Sequence, residues 1–483
     1  MALSNPSESP AVVVREIDLT GGVPNVQSST GAIVLKSRWG TVEERVLVAN
    51  EEDLVDKFGS PDSATTISFH DANMFLKYSN KLQVVRVIDG SAKNAVSTTP
   101  QTSSATPPAE VVKNETSFIS QLSGLDSYSH TFIAKYPGAL GNSLQVSLCP
   151  HSANDSAFTQ WAYKNEFDAA PGTSDFATKN NASNDEVHAA IIDKAGKFTG
   201  TQGTVLERYS FLSLGSNAKD GAGSNIFVKD VLNENSKYVW LIDFDSDLRG
   251  SGAGTSIDSG DNFTKTTGTT NTDIDYNFSQ GVDVAAISTS NTLAGYDLFE
   301  DKDQVEIDFL IAPRSISRAV NTTVVNDLVA TAQSLRKDCV VVASPAQNDI
   351  VNVTSSSDIV TNTVATADTF TKSSYLVMDG NYLKVYDKFN DQFFEIPANS
   401  STAGIMAATD LNRAPWFSPA GSRRGQYLGI TSISFSPTKP QRDTLYKAQV
   451  NPIANIPGAG VILFGDKTKL ARPSAFDRIN VRR

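Results

Sequence analysis

The acidic run DFDSD is one place in this sequence where side chains of one type repeat at a spacing that can hold a ligand. Asp243, Asp245 and Asp247 stand at alternate positions, like the first ligands of a calcium-binding EF-hand loop. The sixth position of such a loop needs glycine and the twelfth needs glutamate, but this chain has Leu248 and Gly254 there. The pattern therefore predicts exposed carboxylates at the end of a strand, not a calcium site.

A second candidate is a phosphate-binding loop. Gly460 and Gly465 have the spacing of the P-loop glycines, and Lys467 and Thr468 follow them. However, Asp466 occupies the position of the phosphate-binding lysine, and a carboxylate repels phosphate. The residues between the glycines, VILF, are typical of an apolar strand. The sequence therefore predicts a strand here and no nucleotide site.

Histidine, cysteine and serine patterns indicate no further chemistry. No GxSxG motif is present to supply a hydrolase nucleophile. Cys149 and Cys339 flank β-branched apolar runs, which predicts buried thiols. The histidines lack the HxH and HxxxH spacings of zinc sites; they are His70, His130, His151 and His188. We therefore predict a protein that is not an enzyme, with no catalytic, cofactor-binding or metal-binding residues and no cofactor.

Composition limits the remaining classes of function. The chain has 483 residues, 40% hydrophobic and 19% charged, which predicts a globular protein of about two to four domains. A net charge of −12 argues against direct nucleic-acid binding, which requires clustered cations. No stretch approaches the roughly 18 apolar residues of a membrane span, and MALSNPSESP lacks the pattern of a secretory signal. We expect no membrane insertion and folding in a cytoplasm.

Residues 1–25 are predicted to form an extended N-terminal arm. Residues 11–19, AVVVREIDL, are rich in β-branched side chains and are typical of a strand. The GGVP stretch ends this strand, and the next candidate strand, residues 32–36, is too distant for a tight hairpin. The arm strand therefore pairs either with a distant strand of its own chain or with another molecule. Both alternatives remain open.

An α/β pattern follows the arm. Asn50 is predicted to cap a short helix that ends at Gly59. Phe69 and Phe75 belong to a second amphipathic helix, which leads into a strand over residues 82–88. These elements predict the first part of a core domain, residues 26–90.

The α/β pattern returns at residues 300–475. VEIDFLIAP and CVVVASP are predicted strands, and an amphipathic helix with apolar residues from Val324 to Leu335 separates them. Strand, helix and strand at this spacing predict a parallel βαβ unit with a right-handed crossover. YLVMDG, which begins at Tyr375, is a further strand candidate.

Between these segments the pattern changes. Residues 91–129 contain the Ser/Thr/Pro-rich stretch STTPQTSSATPPAE and are predicted to be a linker. Residues 130–299 are predicted to be a β-rich domain, with strands in TFIAKY, SLQVSL, VLERYSFLSL and YVWLIDF separated by polar loops. The predicted fold class is therefore α/β (α+β): a discontinuous α/β core from residues 26–90 and 300–475, an inserted β-rich domain and an extended arm.

The end of the chain is basic. From Lys467 to Arg483 there are six Lys or Arg residues against one acid, Asp477, although the whole chain is acidic. One interpretation is a solvated tail. The other is a basic patch that docks on an acidic face of an identical neighbour and fixes its register.

Motifs throughout the chain resemble those of contractile phage tail sheath proteins of the T4-like type. The matching segments, in the family's order, are SPAVVVREID, SRWG, DLVDKFGSP, LQVVRVID, KYPGALGN, FSQGVD, DGNYLKVYDKFND, RAPWFSPAGSRRGQ, LYKAQVNPI, GAGVILFGDKT and AFDRINVRR. The resemblance implies a structural subunit of the virion tail that is assembled in the host cytoplasm. Its partners would be further copies of itself, the tail tube protein, and the baseplate and tail terminator proteins. We expect the subunit-linking residues to be Val12, Val13, Val14, Ile17, Arg478, Arg482 and Arg483.

Two features depart from the family pattern. The segment before KYPGALGN is short, so a protruding domain is expected to be reduced or absent. Family members continue past DRINVRR, so residues 476–483 are expected to begin a truncated C-terminal linking segment, and the chain is expected to be monomeric.

Two other functions remain open. One is the sheath subunit of a bacterial contractile injection device, such as a tailocin or secretion apparatus. The other is a carbohydrate-binding β protein, for which Trp161 and Trp240 are candidate contact residues if they are exposed.

Overall fold

Two large β-sheets organise the chain. The computed structural model describes residues 29–97, 111–125, 130–152, 155–264 and 274–483. The strands are β1 (Gly31–Leu35), β2 (Arg45–Val48), β3 (Leu82–Arg86), β4 (Asn94–Ser97), β5 (Phe132–Pro137), β6 (Leu144–Pro150), β7 (Glu186–Asp193), β8 (Thr204–Ser213), β9 (Val239–Leu241), β10 (Ile274–Ser279), β11 (Phe309–Ile311), β12 (Val340–Ala343), β13 (Leu376–Met378), β14 (Tyr382–Asp387), β15 (Gln392–Pro397), β16 (Ser432–Ile433), β17 (Ile453–Ile456) and β18 (Gly460–Leu463).

Helices cover the faces of the sheets and connect their strands. They are α1 (Glu51–Phe58), α2 (Thr66–Leu76), α3 (Glu115–Leu125), α4 (Ser156–Gln160), α5 (Asp175–Lys179), α6 (Val228–Asn235), α7 (Ser246–Gly250), α8 (Thr289–Asp297), α9 (Arg318–Ala330), α10 (Gln347–Ile350), α11 (Ser356–Thr369), α12 (Asn399–Asn412), α13 (Lys439–Lys447) and α14 (Ile479–Arg482), with a π-helical segment at Thr331–Arg336 and 3-10 turns at Ala139–Ser143, Lys164–Glu166 and Ala475–Asp477. None of the helices in the described ranges is both long and apolar enough to cross a membrane.

The six-stranded sheet is the centre of an α/β fold. Its order is β13-β12-β11-β1-β3-β2, and only the edge strand β2 runs antiparallel to its neighbour. Successive side chains of β1 point to opposite faces, so Ala32 and Val34 belong to the core that includes α9, whereas Ile33 and Leu35 belong to the core that includes α2 and α12. Burial on both faces explains why these strands are continuous apolar runs.

Local predictions in this sheet are confirmed. Asn50 caps α1 by accepting a hydrogen bond from the Asp53 amide at 2.9 Å, and Gly59 ends the helix at a φ of 77°. The predicted βαβ unit is β11, α9 and β12, with Phe309 beside Val340 in a parallel register. The strand that was expected near Tyr375 is β13, which adds in parallel next to β12.

The seven-stranded sheet has the order β8-β7-β6-β10-β4-β5-β9 and is antiparallel throughout. It contains the strands expected in residues 130–299, but it also contains β4, which lies in the predicted linker of residues 91–129. That part of the linker prediction is wrong: β4 is buried between β5 and β10, and the Phe118 ring of α3 stacks on Trp240 at 4.4 Å. Small residues such as Ala95 gain their strand character from tertiary pairing, which their own propensity does not indicate.

Arg86 joins the two sheets. It ends β3, is fully buried, and donates hydrogen bonds to the carbonyl oxygens of Ser37 at 3.2 Å, Gly40 at 2.7 Å and Pro137 at 2.7 Å. Pro137 belongs to β5 of the seven-stranded sheet, so one guanidinium spans both units. Burial lowers the pKa of Arg86 to about 9, which still leaves it charged at neutral pH.

Asp379 follows β13 and is a second buried charge-bearing group. Its carboxyl group accepts hydrogen bonds from Ser344 Oγ at 2.7 Å and from Thr402 Oγ1 at 3.0 Å. Burial raises its pKa to about 7, and the two hydrogen bonds offset only part of that effect.

We expect Asp379 to make stability depend on pH. The folded state binds the proton more tightly than the unfolded chain, so the contribution of Asp379 is fully present below about pH 4 and is lost as the pH rises to about 7. Relative to Asp379→Asn, the free energy of unfolding of the wild-type chain should fall across this window, by at most about 1.4 kcal/mol per pH unit. Urea unfolding of both proteins at several pH values checks this. A pH-independent difference between them would contradict it.

Candidate assembly surface

The residues singled out for chemistry lie in structural contacts. His70 Nε2 lies 3.3 Å from Asp387, and the His188 ring stacks on Phe167 at 4.6 Å. Asp245 caps α7 by accepting from the Leu248 amide at 2.9 Å. Within the described ranges, no group of three His, Cys, Asp or Glu side chains is arranged to hold a metal ion. Cys149 and Cys339 are buried thiols, as predicted.

The P-loop candidate is a β-hairpin. β17 and β18 pair antiparallel with Ile453 beside Leu463, and the backbone amides of residues 461–463 belong to β18. Asp466 forms an ion pair with Arg478. This segment therefore holds the end of the chain in place and offers no cradle for phosphate.

The predicted carbohydrate-contact residues are buried. Trp161 is 1% exposed and Trp240 is 2% exposed. The Trp161 indole donates to Ser147 Oγ at 2.8 Å, and that of Trp240 donates to the Lys135 carbonyl oxygen at 3.3 Å. These rings form the core of the seven-stranded sheet and are not available to a sugar.

The predicted subunit-linking residues fall into two groups. Those of the arm lie outside the described residues; they are Val12, Val13, Val14 and Ile17. The three arginines of the C-terminal segment contact their own chain. Arg478 pairs with Asp466, Arg482 lies over the Tyr375 ring at 3.4 Å, and Arg483 pairs with Asp410.

The other cations of the basic end are also engaged within the chain. Lys467 Nζ donates to the Tyr446 carbonyl oxygen at 2.7 Å, and Lys469 Nζ donates to that of Ala448 at 2.8 Å. Arg472 Nε lies 3.0 Å from Asp477. The charge of this segment is therefore largely used to hold the segment on the fold.

Several large apolar side chains in and around the C-terminal segment are exposed. We define the aromatic face as Trp416, Phe417, Phe464, Phe476 and Val481, which are between 42% and 69% exposed. Asn480 of α14 donates to the Trp416 carbonyl oxygen at 3.2 Å, and Ser418 donates to Asp466 at 3.1 Å. These bonds bring the 416–418 loop, the 464–466 turn and α14 together into one surface.

The aromatic face has the composition of a protein interface. Exposed aromatic and arginine side chains are the groups that most often anchor protein contacts. Arg424 lies over the Phe417 ring at 5.5 Å, and Arg442 lies over the Phe464 ring at 5.4 Å. Sequence reasoning missed this face, although the aromatic pair in APWFSP, within a segment flanked by prolines, is a usable signal.

Asn451 fixes the base of this face. It is fully buried, and its side-chain amide donates to the carbonyl oxygens of Met378 at 3.0 Å and Lys467 at 2.8 Å. The Lys467 amide donates back to Asn451 Oδ1 at 2.7 Å. A Cβ atom at Gly465 would lie 2.8 Å from the same Oδ1, so that position requires glycine.

The start of the described chain and the C-terminal segment meet at Asp410. Ser29 Oγ donates to Asp410 Oδ2 at 3.0 Å, and Arg483 pairs with the same carboxylate, which is 8% exposed. The first described residue, Ser29, and Arg483, which follows α14, therefore contact the same carboxylate.

Family profiles and curated relatives match this chain to the same family. A profile described as the phage tail sheath protein central domain matches residues 285–469, and one described as the tail sheath protein Gp18 domain III N-terminal region matches residues 28–87. The tail sheath protein of Salmonella phage ViI is 27% identical over 582 aligned positions, which cover 100% of this chain and 83% of the relative. That of Enterobacteria phage T4 is 26% identical and covers 98% and 84%.

Solved structures agree on the fold. The sheath tail protein of Listeria innocua has a TM-score of 0.52 at 13% identity, covering 94% of this chain and 72% of that one. The sheath tail protein of Desulfitobacterium hafniense has a TM-score of 0.50 at 14% identity, covering 98% and 80%. The alignment with the ViI protein is longer than the 483 residues of this chain, so that relative contains residues with no counterpart here.

Proposed function

The chain belongs to the phage tail sheath family, and on that basis we propose that it is the subunit of the contractile tail sheath of a T4-like phage. The observation that carries this proposal is the match of nearly the whole chain to curated tail sheath proteins. The role is structural. The burial of Trp161 and Trp240 leaves no observation in favour of a carbohydrate-binding protein.

The proposed mechanism is a change in packing between many identical subunits. Head-to-tail contacts that do not close on themselves produce a helical array around the tail tube. An extended array that is kinetically trapped contracts when a more favourable packing becomes accessible, and no nucleotide is needed. Contraction then drives the tube through the host envelope for genome delivery.

The proposed partners follow from this position in the tail. Each subunit contacts other copies of itself, the tail tube protein and, at the two ends of the sheath, the baseplate and the tail terminator. The protein assembles in the host cytoplasm and then belongs to the virion tail. We also propose that the α/β core carries the contacts, because the aromatic face and Ser29, the first described residue, both belong to it.

The arm is proposed to link subunits by strand addition. Within the described residues β17 is paired only with β18, and a two-stranded hairpin gains stability from a third strand. The arm strand of residues 11–19 supplies that strand from a neighbour, through backbone hydrogen bonds that survive a change in subunit orientation.

Deletion of residues 1–25 is expected to separate folding from assembly. The melting temperature should change by less than about 2 °C, because the arm is proposed to make its contacts in a neighbour and not in its own chain. The shortened chain would be supplied to a host infected with a phage whose own copy of the gene is inactive. Negative-stain microscopy should then show no sheathed tails. A chain lacking only residues 1–8 is the control and should assemble normally. A large fall in melting temperature would show that the arm pairs within its own chain.

The composition of isolated sheaths tests the proposed function. Contracted sheaths purified from the phage that encodes this chain should consist mainly of it, as judged by mass spectrometry. Sheaths built from a different protein would overturn the proposal.

A further inference from the structure

A crevice lies at the carboxyl edge of the six-stranded sheet, at its topological switch point. The chain leaves β1 towards β3 on one side and leaves β11 towards β12 on the other, so the strand order reverses between β1 and β11. In open α/β sheets ligands bind in the crevice at this place. The crevice here has a volume of about 470 Å³, and its walls include Lys36 after β1 and Arg314 after β11.

The crevice is positively charged in an acidic protein. Lys36 and Arg314 line it, and none of the described residues that line it is an aspartate or glutamate. The buried Nε of Arg314 has no hydrogen-bond partner among the described residues. Asp71 interacts electrostatically with Arg314, and complete burial raises the pKa of Asp71 well above its usual range.

The rim of the crevice is apolar. Ile316 is 57% exposed and Val320 is 40% exposed, and both line the crevice. An inorganic anion would use the cations and leave this apolar area in water. A polypeptide segment with carboxylates would contact both the cations and the apolar rim, because burial of the rim adds to the charge attraction.

The opposite edge of the same sheet carries such a segment. The loop at residues 300–306, EDKDQVE, enters β11 from the amino edge and contains four acids against one lysine. Asp301, Asp303 and Glu306 are exposed. A basic crevice at one edge and an acidic loop at the other are complementary in a head-to-tail contact, which is the kind of contact that builds an open helical array.

We propose that the crevice lined by Arg314 and Lys36 binds the acidic loop at residues 300–306 of a second copy of the chain. This inference rests on the proposed function, because it needs many copies in register. The contact is heterologous: each copy contributes its crevice to one neighbour and its acidic loop to another. Its charge pairs set the register of the two copies, and the apolar rim contributes affinity.

Charge exchange tests this contact in the phage. We would complement an inactive gene with Arg314→Glu, or with the pair Asp301→Lys and Asp303→Lys. Plaque titre and the number of sheathed tails should be at least about tenfold lower than with the wild-type gene. A chain that carries all three changes should recover to within about threefold of wild type, because the charge pairs form again with opposite signs. Lys219→Glu, a charge reversal at an exposed position after β8, is the control and should behave as wild type.

Three outcomes would overturn the inference. One is normal assembly of the single-site variants, and another is a combined variant that is no better than either parent. The third is a fall of more than about 5 °C in the melting temperature of both Arg314→Glu and Arg314→Gln, which would assign Arg314 a role within its own chain. Failure of the wild-type gene to restore sheathed tails would instead overturn the proposed function, so the two failures are distinguishable.

Discussion

Replacing Trp416 and Phe417 together by serine is expected to leave the fold intact and to abolish sheath assembly. The two side chains are 69% and 42% exposed, so their removal opens no cavity in the folded subunit, and the melting temperature should stay within about 2 °C of wild type. In the sheath, aromatic anchors at the centre of an interface each contribute about 2 kcal/mol or more. The loss is repeated at every subunit contact along the helix.

The measurement is complementation of a phage with an inactive copy of the gene, followed by electron microscopy of the particles. Fewer than about one tail in a hundred should carry a sheath with the double variant. Ile119→Ser is a matched control, since Ile119 is 65% exposed but belongs to α3 beside the seven-stranded sheet. Sheathed tails in normal numbers with the double variant would show that the aromatic face is not an interface.

Replacing Arg86 by methionine is expected to destabilise the subunit by about 3–5 kcal/mol. Methionine fills much of the same volume but leaves the carbonyl oxygens of Ser37, Gly40 and Pro137 buried without their donors. An unpaired buried acceptor costs about 1–3 kcal/mol, and here three arise at once. Because one of the three belongs to the other sheet, the variant also loosens the junction between the sheets.

Urea unfolding of the purified chain measures this effect. Arg86→Lys should fall between wild type and Arg86→Met, since one ammonium group cannot reach three diverging acceptors as the planar guanidinium does. Arg208→Met is the control: this arginine of β8 is exposed, and its ion pair with Glu166 at 3.6 Å should contribute less than about 1 kcal/mol. Equal stability of Arg86→Met and Arg208→Met would contradict the role of Arg86 at the junction.

Local sequence signals predicted the α/β sheet well. The Asn50 cap, the Gly59 stop and the strands around Val84 and Val341 follow from short-range rules, because both faces of the parallel strands are buried and give unbroken apolar runs. The match of ordered motifs to tail sheath proteins identified the family that the comparisons then showed.

Long-range features were not predictable in this way. β4 is a strand because β5 and β10 flank it, and Arg86 is a junction because Pro137, 51 positions away, folds back onto it. The cations of the C-terminal segment looked free in sequence, but partners such as Asp410 and Asp466 hold them on the fold. The aromatic face and the basic crevice exist only once distant segments are brought together.

The most direct test of the central claim is electron microscopy of particles that form without this chain. The phage that encodes it would carry an early stop codon in the gene and infect a host that does not suppress the codon. We expect naked tail tubes without a contractile sheath, and restoration of sheathed tails when the wild-type gene is supplied from a plasmid. Tails with normal contractile sheaths in the absence of the chain would contradict it.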